Sequence, residues 1–134
     1  MRPLKLDPLL CLNIKEIDDQ HQQMIDLINE TQQLIDSQDD PAGLLTVLGR
    51  LQDLTLQHFT TEEVLMMQYG YPGLQSHKRM HDLSVERTFD FDGSSLQEDP
   101  EAAKALLKLL REWLLSHIHE DLEMAEYLRD KGVK

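Results

Sequence analysis

Along four stretches of this chain, side chains recur at alternating steps of three and four residues. On each stretch, histidine stands where the repeat calls for an aliphatic residue. The first stretch runs from Asp18 to about Ser37, with Ile17, His21, Met24, Ile28, Thr31 and Ile35 on one stripe and Asp18 as the expected N-cap. SQDDPAG breaks the chain, and a second helix is predicted over about Pro41 to Met67 through Leu44, Leu48, Leu51, Thr55, His58, Glu62 and Leu65. GYPG makes the next turn. A third helix, about Leu74 to Phe91, carries His77, His81, Val85 and Phe89 or its neighbour Thr88. DGSSLQEDP is predicted to be a loop. The last helix, about Glu101 to Arg129, places Leu106, Leu110, Trp113, His117, Asp121, Met124 and Leu128 on one face. Short connections between helices of similar length favour antiparallel neighbours. The expected fold class is therefore all-α: a single domain over 1–134, with an N-terminal arm over 1–16 and an up-down-up-down antiparallel four-helix bundle over 17–130.

An imidazole on a buried seam must find a hydrogen-bond or metal partner, or its desolvation costs a few kcal/mol. One such histidine usually settles on a backbone carbonyl, so each position taken alone is an ordinary core histidine. Depth along the bundle removes that reading. His21 lies about 16 residues before the first turn and His58 about 17 after it, so at about 1.5 Å per residue both sit roughly 24 to 26 Å from that end. His77 and His81 enter from the opposite end only one or two turns along, where Glu62 also lies. His117 and Asp121, about 16 and 20 residues into the last helix, return to the same slab. Four helices thus deliver five imidazoles and two carboxylates to one interior layer.

Such a donor set suits iron, manganese or zinc. The HxxxE and HxxxH spacings put two ligands on one helical face about 40° apart, so one helix can serve one site twice. A structural zinc uses about four ligands and cannot employ seven. Two octahedral metals can. Five histidines fill five positions, two bridging carboxylates four, and an oxo or hydroxo bridge two more, which leaves one of about twelve open to a small exogenous ligand.

Composition narrows the partners. A formal net charge of −12 over 134 residues repels nucleic acid and anionic membranes, and no segment approaches the roughly 20 apolar residues a spanning helix needs. The apolar patch at the start is interrupted by Pro and Asp and lacks a cleavage signal. Cys11, the single cysteine, excludes an internal disulfide, fits a reducing compartment and reads as a small buried hydrophobe. A cytoplasmic protein is expected.

IDDQHQQMIDLIN, HFTTEEVLMMQYGYP, HKRMH and WLLSHIHED, in this order, resemble the bacterial hemerythrins, and the resemblance covers the chain from Ile17 to Leu128. It implies a four-helix bundle with a non-haem di-iron centre, two iron ions joined by an oxo or hydroxo bridge, that binds dioxygen reversibly. By the same resemblance His77, His81 and His117 serve the saturated iron, His21 and His58 serve the iron with the vacancy, and Glu62 and Asp121 bridge. Phe59, Trp113, Leu114 and Ile118 correspond to the dioxygen pocket. That apolar wall lacks a general acid, which favours holding dioxygen over reducing it, and so a binder rather than an enzyme. Two features depart from the family. Its last His and Asp are usually five apart, whereas His117 and Asp121 are four apart; Glu120 competes with Asp121, but only Asp121 lies on the seam. Leu10, Cys11 and Leu12 stand where relatives carry a tryptophan.

Other candidates read more plainly. His119 lies about 200° round the helix from His117 and is expected in solvent. Glu63 reads as a surface carboxylate or as one behind the ligands, and the methionines, notably Met66 and Met67, as core filler. A chain ending soon after its last helix is expected to be a standalone oxygen carrier or store. It is expected to be a monomer, with weak self-association as the alternative. Competing readings are a di-iron enzyme reducing dioxygen, peroxide or nitric oxide, and an iron-homeostasis or metal-sensing module.

Overall fold

A computed structural model describes residues 2–38, 40–91 and 93–134. Among them there are helices and no strands. A 3-10 turn at Pro8–Leu10 precedes α1 (Lys15–Ser37), α2 (Pro41–Gln68), α3 (Leu74–Thr88), the short α4 (Gly93–Glu98) and α5 (Pro100–Asp130). α1 packs on α2 and α5, and α3 and α4 each contact both α2 and α5, so the whole is a helical bundle. No helix among the described residues is long and apolar enough to cross a membrane.

The long helices begin where the backbone chemistry is favourable. Asp40 caps α2 by accepting the Gly43 N–H at 2.8 Å, and Asp99 caps α5 by accepting the Glu101 N–H at 3.0 Å. Pro41 and Pro100 follow in first-turn positions, where a missing N–H costs nothing. Gly70, at φ 66°, ends α2 and lets the Tyr71 N–H return to the Met66 carbonyl at 2.9 Å.

Five expectations need correction. Asp18 is not the N-cap of α1, which begins one turn earlier after Ile14. Its carboxylate instead accepts the N–H groups of Leu12 and Asn13, at 2.8 and 3.0 Å, and so ties the arm to the helix. The third helix stops at Thr88, and part of the predicted DGSSLQEDP loop is α4, because its one aliphatic residue, Leu96, is buried in the core. Met66 is fully buried, but Met67, about 100° further round, is 68% exposed. Cys11 is half-buried rather than buried.

Two apolar clusters result. The larger holds Met24, Ile28, Leu48, Leu51, Leu110, Leu114 and Ile118 among others. The smaller holds Leu12 and Ile14 of the arm with Ile17, Met66, Met124, Ala125 and Leu128. Each fully buried aliphatic side chain is worth about 1.5–3 kcal/mol. Along α1, α2 and α5 the histidines fall between the two clusters, so a polar layer is sealed by hydrocarbon on both sides.

Candidate metal centre

α1 contributes His21 to this layer, α2 His58 and Glu62, α3 His77 and His81, and α5 His117 and Asp121; all seven side chains are buried, with residue exposures between 0 and 4%. Their spacing on each helix is the reason they meet, since residues four apart share one face. The Nε2 of His58 lies 3.1 Å from that of His21 and 3.0 Å from that of His117. Glu62 Oε1 stands 2.9 Å from His81 Nε2 and 3.3 Å from His77 Nε2, and its Oε2 stands 3.2 Å from His58 Nε2. Asp121 Oδ2 lies 3.0 Å from His117 Nε2 and 3.3 Å from His21 Nε2, while Oδ1 is 2.9 Å from His77 Nε2.

These contacts resolve into two overlapping sets of donor atoms, each within 4.8 Å of one another. One is His21, His58, Glu62, His117 and Asp121; the other is Glu62, His77, His81 and Asp121. Both carboxylates belong to both sets, the arrangement a pair of bridged cations requires. His117 falls with His21 and His58, not with His77 and His81 as the resemblance implied. Its ring centroid is 5.1 Å from that of His58 and 5.9 Å from that of His81, so it stands near the boundary between the sets.

Whether a metal pair fits can be judged from the donors themselves. Among the described residues, the buried side-chain polar atoms without a hydrogen-bond partner are His21 Nδ1, Glu62 Oε2 and both oxygens of Asp121. The carboxylate oxygens lie near imidazole nitrogens yet outside hydrogen-bond geometry. A folded protein leaves few such groups, and these are what a cation would satisfy. His58 Nδ1 lies 2.7 Å from Gln20 Oε1, and His81 Nδ1 lies 3.0 Å from Glu63 Oε2. Both oxygens accept only, so Nδ1 carries a proton in each ring and Nε2 is the nitrogen turned to the layer.

Without metal the layer holds its charge as protons. Burial pushes His58 and His77 down, but Glu62 and Asp121 beside them outweigh it and raise the two imidazoles to about 9 and about 10. Burial dominates at His21 and lowers it. Burial and Asp121 push Glu62 upward, yet the His58 imidazole helps hold it down at about 2. Asp121 is pushed up by burial and held well below the usual carboxylate range chiefly by His117.

Aromatic rings flank the layer. Phe59 stacks on His81 with centroids 4.0 Å apart and planes at 8°, and Trp113 lies over His117 at 5.3 Å and 14°. Leu114 and Ile118 are fully buried nearby on α5, whereas Trp113 is only half-buried. His119 and Glu120 are exposed, which separates Glu120 from Asp121. Glu63 is half-buried behind His81. Sequence reasoning missed Gln20, which precedes His21; it is buried and also donates to Thr61 Oγ1 at 3.0 Å. A polar residue flanking a seam histidine was the available signal.

The sequence model of the hemerythrin HHE cation binding domain matches residues 12–126 of this chain. A bacteriohemerythrin of Pseudomonas aeruginosa is 33% identical over 134 residues, covering 92% of this chain and 85% of that protein. A bacteriohemerythrin of Stenotrophomonas maltophilia is 30% identical over 112 residues, with 84% and 72% covered. A myohemerythrin of Theromyzon tessulatum is 29% identical over 116 residues, with 87% and 85% covered.

Proposed function

Because this chain belongs to the hemerythrin family, we propose that its polar layer holds two iron ions and that it binds dioxygen reversibly, for storage, delivery or sensing, at a coordination position its own side chains leave free. The observation that carries the reading is the pair of overlapping donor sets sharing Glu62 and Asp121. His21, His58, His77, His81 and His117 supply the remaining ligands in the proposal, and Glu62 and Asp121 bridge. Iron supplies reversible electron transfer to the bound gas; the chain supplies everything else. Gln20 and Glu63 hold His58 and His81 with Nε2 turned inward. Phe59, Trp113, Leu114 and Ile118 wall the free position with hydrocarbon and exclude water. No side chain in that wall can deliver a proton, which favours release of dioxygen unchanged and a binding protein over an enzyme. The count of filled positions is the same whichever metal takes His117.

The same reading takes 1–134 as one domain with up-down-up-down connectivity, supported by the short α1–α2 connection and the packing of α1 on α2 and α5. A cytoplasmic setting is read from the single cysteine.

Rapid mixing of the reduced, iron-loaded protein with dioxygen tests the proposal. A visible absorption band that appears with dioxygen and disappears on its removal is expected. Immediate irreversible oxidation would favour an enzyme reducing dioxygen, peroxide or nitric oxide, and no gas-dependent band would favour a metal-sensing module.

A further inference from the structure

A surface cleft of about 230 Å³ between α3 and α5 is lined by Ser84, Arg87, Trp113, Ser116, His117 and Glu120 together with neighbouring side chains. It is one of the places where solvent comes nearest the metal layer, and the Trp113 indole forms part of its inner wall. One face of that indole lies over His117, and its edges meet Phe59 at 6.1 Å and Phe89 at 5.0 Å between centroids. Trp113 and His117 line the cleft side by side, so the indole borders the way from the cleft into the layer.

The ring is fixed from across the helix pair. Trp113 Nε1–H donates to Ser84 Oγ at 2.8 Å, and the Ser84 hydroxyl donates in turn to the Met80 carbonyl at 2.9 Å. The second bond fixes the hydroxyl proton on the α3 backbone and leaves an oxygen lone pair directed at the indole. Ser84 therefore acts only as acceptor toward Trp113. The indole N–H has one acceptor, on a different helix, and loses its lateral tether if that oxygen is removed.

We propose that Ser84 is a positioning residue that latches Trp113 across the entrance and thereby sets how fast small molecules reach and leave the metal pair. This rests on the metal-centre reading above and adds to it a residue with no ligand role. A latch changes the population of the displaced ring, by roughly two- to tenfold for one neutral hydrogen bond. It changes entry and exit alike and leaves the affinity at the metal where it was.

Ser84→Ala removes the acceptor and Ser84→Thr retains a hydroxyl. In the full chain loaded with iron and oxidised, inorganic azide is the probe. Ser84→Ala is expected to raise its association and dissociation rate constants together by roughly two- to tenfold at unchanged affinity, with Ser84→Thr near the unsubstituted protein. Trp113 is the only tryptophan, so its fluorescence reports the ring directly. In the zinc-loaded full chain, acrylamide quenching of that signal should rise in Ser84→Ala and not in Ser84→Thr. Unchanged azide rates would overturn the latch and point to entry by another route, such as the cleft over His77. A shift in azide affinity with one rate constant alone would overturn it too, as a packing effect on the site. Failure of the underlying reading would look different: an unsubstituted protein that holds no metal pair and binds no azide, which would sink both.

Discussion

Glu62 ties the two donor sets together, reaching His58 through one oxygen and both His77 and His81 through the other. Glu62→Ala is therefore expected to abolish or scramble metal binding, while His119→Ala, in solvent on the far side of α5, leaves metal content unchanged; elemental analysis of both variants decides. Protons make a second test. At pH 7 the metal-free layer carries protons on His58 and His77, which are raised to about 9 and about 10. Metal ligation needs both Nε2 lone pairs, so loading at pH 7 should release about two protons per chain from these rings, and apparent affinity should strengthen as pH rises from 6 toward 9. Indicator dye in weak buffer measures the release; no release would contradict the charge assignment. All seven layer residues were legible in the sequence, because helix rise is constant enough to compare depths from four directions. The side on which His117 falls was not legible. That depends on ring orientation, differing by less than an ångström between its neighbours, and periodicity carries no such information.

At the scale of elements, the arm shows where sequence periodicity misleads. Asp18 has the identity of a cap and precedes the strongest part of the repeat, yet Leu12 and Ile14 gain more by entering the smaller core, and α1 starts a turn early to bring them there. Asp18 then serves as the anchor of the arm, and Arg129 donates to the Leu12 carbonyl at 2.6 Å from α5. Asp18→Ala should cost about 1–2 kcal/mol, comparable to losing a cap, and show as lower thermal stability with metal content retained. A loss below about 0.3 kcal/mol would mean that burial of Leu12 and Ile14 alone holds the arm. α4 was missed for a related reason. One buried leucine within a Ser- and Gly-rich run is too weak a local signal, and only packing against the core reveals it.

For the molecule as a whole, sealing seven polar side chains between two hydrocarbon clusters couples metal to stability. Cations that bind only the folded chain stabilise it by about 4 kcal/mol at a thousandfold excess over Kd. Chelation should therefore lower the melting temperature by on the order of 10 °C, and re-addition of metal should restore it. A melting temperature indifferent to chelator would mean the layer tolerates its unpartnered oxygens without help. The most direct test is the metal-to-protein ratio of freshly purified, unsubstituted protein. Two iron ions per chain are predicted; a single ion, or none, would contradict the shared-carboxylate centre on which the function rests.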